Sequence, residues 1–190
     1  MESALIVSRG DKSTAFFTDI LHAAGVHQTA ALRSCSEARR RLGERDFDLV
    51  IVNAPLPDET GEKLSCEIAS RGRTQVILVV KSEYFDAVSA LCEGDGVLTI
   101  AKPVNRAMFW SALMFAKSAH NRINRMHTEN ARLQQKIEDI RVVDRAKCIL
   151  ISCLGMSEQE AHRHLEKQAM DMRVTKREVA EGLIKTYENL

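Results

Sequence analysis

Short apolar runs alternate with amphipathic stretches along the first 116 residues of the chain. Apolar runs bounded by turn residues are typical of strands buried on both faces, and four such strands are predicted at Ala4–Val7, Leu49–Val52, Val76–Val80 and Val97–Ile100. The stretches between them predict helices, most of which stop at a glycine, over Lys12–Ala24, Glu37–Leu42, Gly61–Arg71 and Tyr84–Leu91. Such alternation produces right-handed βαβ units. Counting five of these units, we predict an α/β fold with a five-stranded parallel sheet over residues 1–116.

The pattern changes after Val104, because neither proline nor glycine then occurs before Gly155. Within this run, apolar residues and one asparagine recur at alternating spacings of three and four. This seam consists of Ala116, Ala119, Ile123, Met126, Asn130, Leu133, Ile137 and Ile140. This spacing predicts about three heptads of a coiled coil, in which Asn130 at an a position fixes the register of a parallel dimer. A single amphipathic helix packed on its own domain is the alternative, but its apolar stripe would be wider. We predict a dimeric coiled-coil linker helix over residues 117–144.

Three short helical segments are predicted after Asp144, over about Arg145–Leu154, Ser157–Met172 and Thr175–Glu188. The second and third begin with a capping box, in which a hydroxyl residue precedes a glutamate by three positions. Residues 145–190 are therefore expected to form a small three-helix bundle. A unit of that size is marginally stable alone, so support from the coiled coil is expected.

Composition and charge exclude some classes of protein. The chain of 190 residues is 45% apolar and 28% charged, which is ordinary for a globular protein with a substantial core. A formal net charge of +1 does not by itself indicate nucleic acid or membrane. No apolar run approaches the roughly 20 residues that span a bilayer, and the first residues lack the basic region of a signal peptide. We therefore expect no membrane association.

Cysteine and histidine positions do not predict a cofactor or a metal. The five cysteines are odd in number and lack CxxC spacing, which favours reduced thiols in a cytoplasmic protein. His162 and His164 suggest a metal site together with His120 and His127, but residues two positions apart on a helix face different directions. We predict neither a metal nor a cofactor.

The first 116 residues contain a set of spaced motifs that is found in a known family. Asp48, Asn53, Pro57 and Gly61 surround the third predicted unit, and Lys102-Pro103 follows the last strand. With five βα units, this pattern resembles the receiver domain of two-component response regulators, which has the flavodoxin-like fold. The resemblance implies a site at the carboxyl ends of the strands. There an acidic pair binds Mg²⁺, an aspartate accepts a phosphoryl group, and a hydroxyl residue and a lysine hold that group.

Most residues that this site requires are replaced. The replacements are Ser8 and Arg9 for the acidic pair, Asn53 for the acceptor aspartate, Val80 for the hydroxyl residue and Thr99 for the usual switch aromatic. Only Lys102 matches, and Asp11 is the one carboxylate near the first strand that remains for Mg²⁺. Since a neutral amide is not a competent nucleophile for acyl phosphate formation, we predict a pseudo-receiver with no catalytic residue.

Lys102 has two interpretations at this stage. In the first, its ammonium group hydrogen-bonds to Asn53 or to carbonyl groups at the strand ends. In the second, Arg9, Lys81 and Lys102 together form a pocket for an anion or a small ligand. The first interpretation gives Lys102 a structural role, and the second gives the pseudo-receiver an input.

The C-terminal segment contains a second, denser set of family positions. These are Ala146-Lys147, Ile149-Leu150, Gly155-Met156-Ser157-Glu158, Glu160-Ala161, Leu165, Ala169-Met170 and Val179-Ala180. They resemble the ANTAR RNA-binding domain, although His162 stands where that family usually has an aromatic residue. Helical spacing predicts that the apolar members form the core of the bundle, together with Ile184.

The polar residues of this segment are the candidates for contact with RNA: Arg145, Lys147, Arg163, Lys167, Gln168, Arg173, Lys176 and Arg177. Lys147 is the strongest candidate because it belongs to the family-like Ala-Lys pair. From Arg145 onward eight Lys or Arg face seven Asp or Glu, so a basic surface must come from their arrangement. Tyr187 is the only aromatic residue there, so contacts with phosphates and hairpin shape are expected to dominate.

The two resemblances together imply a transcription antiterminator that is not an enzyme. Such a protein binds paired stem-loops in nascent RNA, and a homodimer joined through residues 119–140 would offer two RNA-binding units. Without phosphorylation, its input would be a regulatory protein or a small ligand at the receiver. The alternative is a protein-interaction adaptor, whose pseudo-receiver docks a partner or ligand and whose tail only dimerises.

Overall fold

Five parallel strands form one sheet in the computed structural model of the chain, in which residues 1–187 are described. In chain order the strands are β1 (Ser3–Ser8), β2 (Gln28–Leu32), β3 (Leu49–Asn53), β4 (Gln75–Lys81) and β5 (Leu98–Lys102). Their order across the sheet is β2-β1-β3-β4-β5. The predicted five-stranded parallel sheet is therefore confirmed.

The apolar pattern did not delimit β2, which is the strand at one edge of the sheet. It pairs with β1 alone, and its five residues, Gln-Thr-Ala-Ala-Leu, are half-buried or exposed. An edge strand of this kind does not need the continuous apolar run that marks a central strand. The four strands that the pattern did predict are all present.

Four helices connect the strands, and their apolar residues complete two cores. They are α1 (Asp11–Ala23), α2 (Cys35–Glu44), α3 (Glu62–Ala69) and α4 (Phe85–Cys92). Successive strand residues point to opposite faces, so Leu5 and Val7 pack with α2, α3 and α4 on one face. Ala4 and Ile6 pack on the other face with α1 and with the helix that follows β5. Strands covered on both faces have the near-continuous apolar sequences seen in β1, β3 and β4.

The next helix, α5, extends without a break from Arg106 to Leu154 over 49 residues. Its first turns pack on the sheet, where Phe109, Leu113 and Ala116 are buried. Ala116, which the heptad spacing places at the start of the seam, therefore belongs to the core of the sheet. The helix does not end near Asp144, so the predicted segment Arg145–Leu154 is the C-terminal part of α5.

The chain divides into two compact units, Met1–Arg125 and Met126–Leu190. In the second unit, α6 (Glu158–Met172) and α7 (Lys176–Tyr187) pack with the end of α5 around a core of Ala146, Leu150, Ala161, Leu165, Ala169, Val179 and Ala180. The predicted end of the last helix at Glu188 lies outside the described residues. A long helix followed by further helices confirms the predicted helical tail.

Both capping boxes of the second unit form as their sequences predict. The Ser157 N–H donates to Glu160 at 2.9 Å, and the Glu160 N–H donates to the Ser157 hydroxyl at 3.3 Å. The Thr175 N–H donates to Glu178 at 2.7 Å, with a return bond of 3.2 Å to the Thr175 hydroxyl. Each box satisfies N–H groups that the first turn of a helix leaves without partners.

Candidate functional sites

The carboxyl ends of β1 and β3 meet where the strand order reverses, which is the usual ligand position in open α/β sheets. Ser8 and Asn53 are paired in register at this point. The Asn53 amide nitrogen donates to the Ser8 hydroxyl oxygen at 3.0 Å, and Ser8 is buried. Two neutral groups that satisfy each other thus occupy the centre of the site.

Lys102 lies at the end of β5 and points to the loop after β3. Its ammonium group donates to the Ala54 carbonyl at 2.5 Å, so its partner is a strand-end carbonyl and not Asn53. Burial, with the positive charge of Lys81 as a second cause, lowers the pKa of Lys102. A half-buried cation held by a carbonyl positions the loop without needing a ligand.

The three cations of the predicted anion pocket make separate contacts. Asn53 and Lys102 line a cavity of about 250 Å³, and neither Arg9 nor Lys81 lines it. Arg9 is exposed, while Lys81 pairs with Glu83 at 3.2 Å. The structure thus brings Lys102 to Asn53 but does not bring all three cations to one pocket.

The residues near Asn53 do not fit Mg²⁺, which prefers carboxylate and other oxygen ligands. A hydroxyl and an amide that bond to each other stand there beside the Arg9 position. The Asp11 carboxylate pairs instead with Arg33 at 2.8 Å on the exposed surface. Within residues 1–187, no group of three His, Cys, Asp or Glu side chains is arranged to hold a metal ion.

Val80 and Thr99, the other two residues predicted as replacements, lie in different surroundings. Val80 is buried in the core that α2, α3 and α4 cover. Thr99 has a buried hydroxyl that forms no hydrogen bond with residues 1–187. A threonine in this position is too small to occupy the volume that a switch aromatic requires.

The loop after β3 is fixed by contacts that sequence reasoning did not find. The Asp58 carboxylate accepts hydrogen bonds from the Cys35 N–H at 3.0 Å, the Ser36 N–H at 2.9 Å and the Ser36 hydroxyl at 2.5 Å. These donors hold the pKa of Asp58 well below its usual range. Glu59 pairs with Arg39. Because these partners are about twenty residues apart, no local motif indicates them.

Most of the predicted dimer seam is exposed on the surface of α5. The exposed fractions of Met126, Leu133, Ile137 and Ile140 are 59%, 46%, 52% and 60%, and Asn130 is also exposed. Ala119 and Ile123, nearer the sheet, are half-buried. These four large apolar side chains form a heptad row, and the described residues leave it exposed. A partner helix would bury such a row.

Three of the candidate RNA-binding cations are engaged within the second unit. Lys147 bonds to Asp144 at 2.8 Å and to Glu158 at 3.0 Å, and these hydrogen bonds raise its pKa. Lys176 pairs with Glu166 at 2.5 Å. Arg177 pairs with Asp139 and with Glu181, each at 2.7 Å. These cations connect the helices of the bundle.

The remaining candidates are more available. Arg163, Lys167 and Arg173 are exposed and form no salt bridge with another residue in the described part of the chain. Arg163 and Lys167 line one cleft of about 490 Å³ between the end of α5 and α6. Arg145 is exposed but engaged with a neighbour, and Gln168 is half-buried. The structure therefore separates cations that connect helices from cations without a salt bridge among the described residues.

Comparison with known proteins matches both parts of the chain. The family described as response regulator receiver domain matches residues 5–113, and the family described as ANTAR domain matches residues 131–184. The chain is 29% identical over 139 residues to the transcriptional regulatory protein PdtaR of Mycobacterium tuberculosis, a match that covers 73% of this chain and 68% of PdtaR. It is 24% identical over 116 residues to the aliphatic amidase regulator of Pseudomonas aeruginosa, covering 61% and 59% of the two chains.

Solved structures share the fold of the sheet. A response regulator receiver domain protein from Clostridium thermocellum superposes with a TM-score of 0.56 at 20% identity, covering 66% of this chain and 99% of that one. Identity at this level shows a shared fold alone. Along residues 1–187, no helix combines the length and apolar composition that crossing a membrane requires.

Proposed function

Because this chain belongs to the response regulators, with a receiver domain and an ANTAR domain, we propose that it is a transcription antitermination regulator that binds paired RNA hairpins. The match of the ANTAR family to residues 131–184 is the observation that carries the proposal. The names of its relatives, a transcriptional regulatory protein and an amidase regulator, agree with a role in gene expression. Nascent transcripts lie in the cytoplasm of a bacterium, so we assign the protein to that compartment.

The active form in this proposal is a homodimer joined through the seam of α5. The exposed apolar row Met126–Ile140 supports it, since a second copy would bury that row in a coiled coil. Linking two RNA-binding units makes the second hairpin bind intramolecularly, at a high effective concentration. A paired-hairpin target would therefore be bound far more tightly than either hairpin alone.

The receiver in this proposal is a pseudo-receiver. The neutral Asn53–Ser8 pair and the bond from Lys102 to the Ala54 carbonyl support it, because no nucleophile and no Mg²⁺ ligand set remain at the site. A regulatory protein or a small ligand then replaces phosphorylation as the input. In this proposal the pseudo-receiver spans residues 1–116, the coiled-coil linker 117–144 and the RNA-binding domain 145–190. The helix α5 contributes residues to all three.

An electrophoretic mobility shift with a two-hairpin leader RNA tests the RNA-binding proposal, at about 50 mM and about 200 mM salt. Wild-type protein should shift the RNA, and Arg163→Ala and Lys167→Ala should each weaken binding and lower the salt slope by about 1. Arg71→Ala, which removes an exposed cation from the first unit, is the matched control and should change neither quantity. No shift by the wild type at low salt would overturn the proposal.

Incubation with Mg²⁺ and acetyl phosphate tests the pseudo-receiver. Wild-type protein should acquire no acid-labile phosphate, and neither should Asn53→Asp, because Ser8 and Arg9 still occupy the positions of the Mg²⁺ carboxylates. Phosphate in a one-to-one ratio on the wild type would show an acceptor elsewhere and refute the assignment.

A second candidate function, the adaptor, is favoured by another cavity of the receiver. This cavity of about 330 Å³ lies between the loop after β3 and α4, with an apolar floor that includes Ala54, Val80 and Val88. Its size is in the range of small-ligand sites, about 300–1,000 Å³. A tight protein partner in a pull-down, together with no RNA affinity at low salt, would favour the adaptor.

A further inference from the structure

Two residues of opposite charge line the cavity of about 330 Å³ between the loop after β3 and α4. They are Glu62 at the start of α3 and Lys81 at the end of β4. Within residues 1–187 these two side chains form no salt bridge with each other. A small molecule that carries both charges can therefore be bound by the two residues together.

Glu62 contributes a carboxylate without a partner. It is half-buried, and its side chain forms no hydrogen bond or salt bridge with another residue in 1–187. By contrast, Glu59 and Glu67, on either side of it in the sequence, both pair with Arg39. A carboxylate that has lost part of its hydration without gaining a partner is stabilised by a cation or by N–H donors that enter the cavity.

Lys81 places a positive charge on the rim of the same cavity. Its ammonium group pairs with Glu83 at 3.2 Å and lies 5.9 Å from the centre of the Tyr84 ring. Lys81 and Glu83 are both more than half exposed, and a surface pair of this kind contributes little stability. Burial lowers the pKa of Lys102, and the charge of Lys81 is the second cause, so the two cations lie near each other. A carboxylate that enters beside Lys81 displaces only a weak pair and is attracted by both cations.

The floor of the cavity is apolar. Ala54, Val80 and Val88 line it and are buried. The hydrogen bond from Lys102 to the Ala54 carbonyl holds the loop that forms one wall, so the cavity exists before a ligand arrives. Its volume is at the lower end of the range for small-ligand sites. A short aliphatic side chain or one aromatic ring is the kind of group that such a floor binds.

We propose that this cavity binds a free amino acid with an apolar side chain. Its ammonium group bonds to Glu62, its carboxylate bonds to Lys81, and its side chain packs on Val80 and Val88. The inference deepens the proposed function and rests on it in one respect, because the amino acid is the small ligand that the pseudo-receiver takes as its input. Neither a metal nor a phosphoryl group is required for this recognition.

Isothermal titration calorimetry of the full chain with L-leucine, L-valine, L-methionine and L-phenylalanine tests the proposal. At least one of them should bind, and three analogues of the tightest one each remove a single group. For leucine, isocaproate lacks the ammonium group, isoamylamine lacks the carboxylate and glycine lacks the apolar side chain. Each removal should weaken binding by about 10- to 100-fold, the range for one hydrogen-bonded charge or one buried aliphatic side chain.

Variants of the cavity locate the binding. Glu62→Gln keeps the shape of the side chain and removes its charge, so it should weaken the amino acid by about 10- to 100-fold and leave the analogue without an ammonium group unchanged. Ala87→Trp fills the cavity from an exposed position and should abolish binding. Glu93→Gln and Ala90→Trp are the matched controls, because both residues are exposed and do not line the cavity. Thermal melting verifies that each variant folds.

The outcomes separate this inference from the function on which it rests. If none of the four amino acids binds at millimolar concentration, or if the analogue without an ammonium group binds as tightly, the inference fails while RNA binding in the mobility shift is unaffected. Full-strength binding to Ala87→Trp would place the amino acid elsewhere and also overturn the inference. If the amino acid binds as expected but the chain shifts no RNA, the RNA-binding proposal fails and the cavity remains a ligand site.

Discussion

At the scale of single residues, side chains at the carboxyl edge of the sheet bond to one another and to the backbone. Asn53 and Ser8 satisfy each other at 3.0 Å, and Lys102 is bound to the Ala54 carbonyl. A half-buried cation loses part of its hydration, which is consistent with the lowered pKa of Lys102. In the proposed pseudo-receiver, these residues keep the backbone of a phosphorylation site without its chemistry.

Gly61 shows how closely this backbone is packed. Its φ is +99°, and a Cβ there would lie 2.9 Å from Cγ1 of the buried Val52. Gly61→Ala should therefore cost about 2–4 kcal/mol in the free energy of unfolding, from backbone strain and overpacking together. Urea denaturation measures the loss. Gly72→Ala is the control. The φ of Gly72 is +78°, but beyond its chain neighbours no atom lies within 4 Å of a Cβ placed there, so this change should cost about 1–2 kcal/mol in the free energy of unfolding. Equal losses would exclude the contact with Val52 as a cause.

Asp58 should make the receiver sensitive to acid. Because hydrogen bonds from Ser36 and Cys35 lower its pKa in the folded state, its contribution is present above the unfolded pKa of about 4. That contribution is lost as the pH falls through the folded pKa. Asp58→Asn should therefore lose less stability than the wild type between about pH 6 and about pH 3, as judged by the urea midpoint.

A matched substitution isolates the effect of Asp58. Asp19 is exposed on α1, and its side chain forms no hydrogen bond with another residue in 1–187. Asp19→Asn should keep the acid sensitivity of the wild type. If both variants lose stability in parallel with the wild type, the bonds to α2 do not depend on the charge of Asp58.

Among the elements, α5 has three segments with different surroundings along its length. Its first turns are buried on the sheet through Phe109 and Leu113, and the turns from Met126 to Ile140 present an exposed apolar row. Its last turns supply Ala146 and Leu150 to the second core. A helix without proline or glycine remains continuous through these changes because each turn bonds to the one before it.

Asn130 should limit the strength of association through this row. A polar residue at an a position specifies register and reduces stability, so Asn130→Val should tighten dimerisation and raise the urea midpoint at a given protein concentration. Sedimentation of the full chain measures the association. Asn121→Val, the same change at an exposed position outside the seam, should leave the association unchanged. A tighter dimer for both variants would argue against the predicted register.

At the scale of the whole molecule, some Lys and Arg side chains form ion pairs that hold the bundle together. These side chains are less available to an RNA phosphate. Lys147, the strongest candidate from sequence, is only 17% exposed and bridges Asp144 and Glu158. Arg163 and Lys167 are exposed and have no such partner among residues 1–187. The cations that stabilise the unit and those that bind RNA are thus expected to be different residues.

Lys147→Ala should lower the stability of the protein by about 1 kcal/mol while leaving the salt slope of RNA binding unchanged. Thermal melting and mobility shifts at two salt concentrations measure the two effects. Lys147→Met, which keeps most of the packing, should recover part of the stability. A salt slope that falls by about 1 in Lys147→Ala would instead place Lys147 on a phosphate.

The sequence by itself determined the features that depend on near neighbours. The apolar runs marked the central strands β1, β3 and β4 and the edge strand β5, and the capping boxes at Ser157 and Thr175 formed as predicted. That Asn53 replaces the acceptor aspartate stays a prediction from the sequence. β2 was not delimited, because its half-buried and exposed residues, Gln-Thr-Ala-Ala-Leu, do not form an apolar run.

Only the tertiary structure decided which distant side chains meet. Lys102 donates a hydrogen bond to the carbonyl of Ala54, 48 positions away in the sequence. Asp58 accepts hydrogen bonds at the start of α2, 22 positions away. Arg177 pairs with Asp139 across 38 positions, which assigns it to the bundle. Periodicity and capping act over one or two turns of chain, whereas a polar side chain is satisfied by whatever group the fold places beside it.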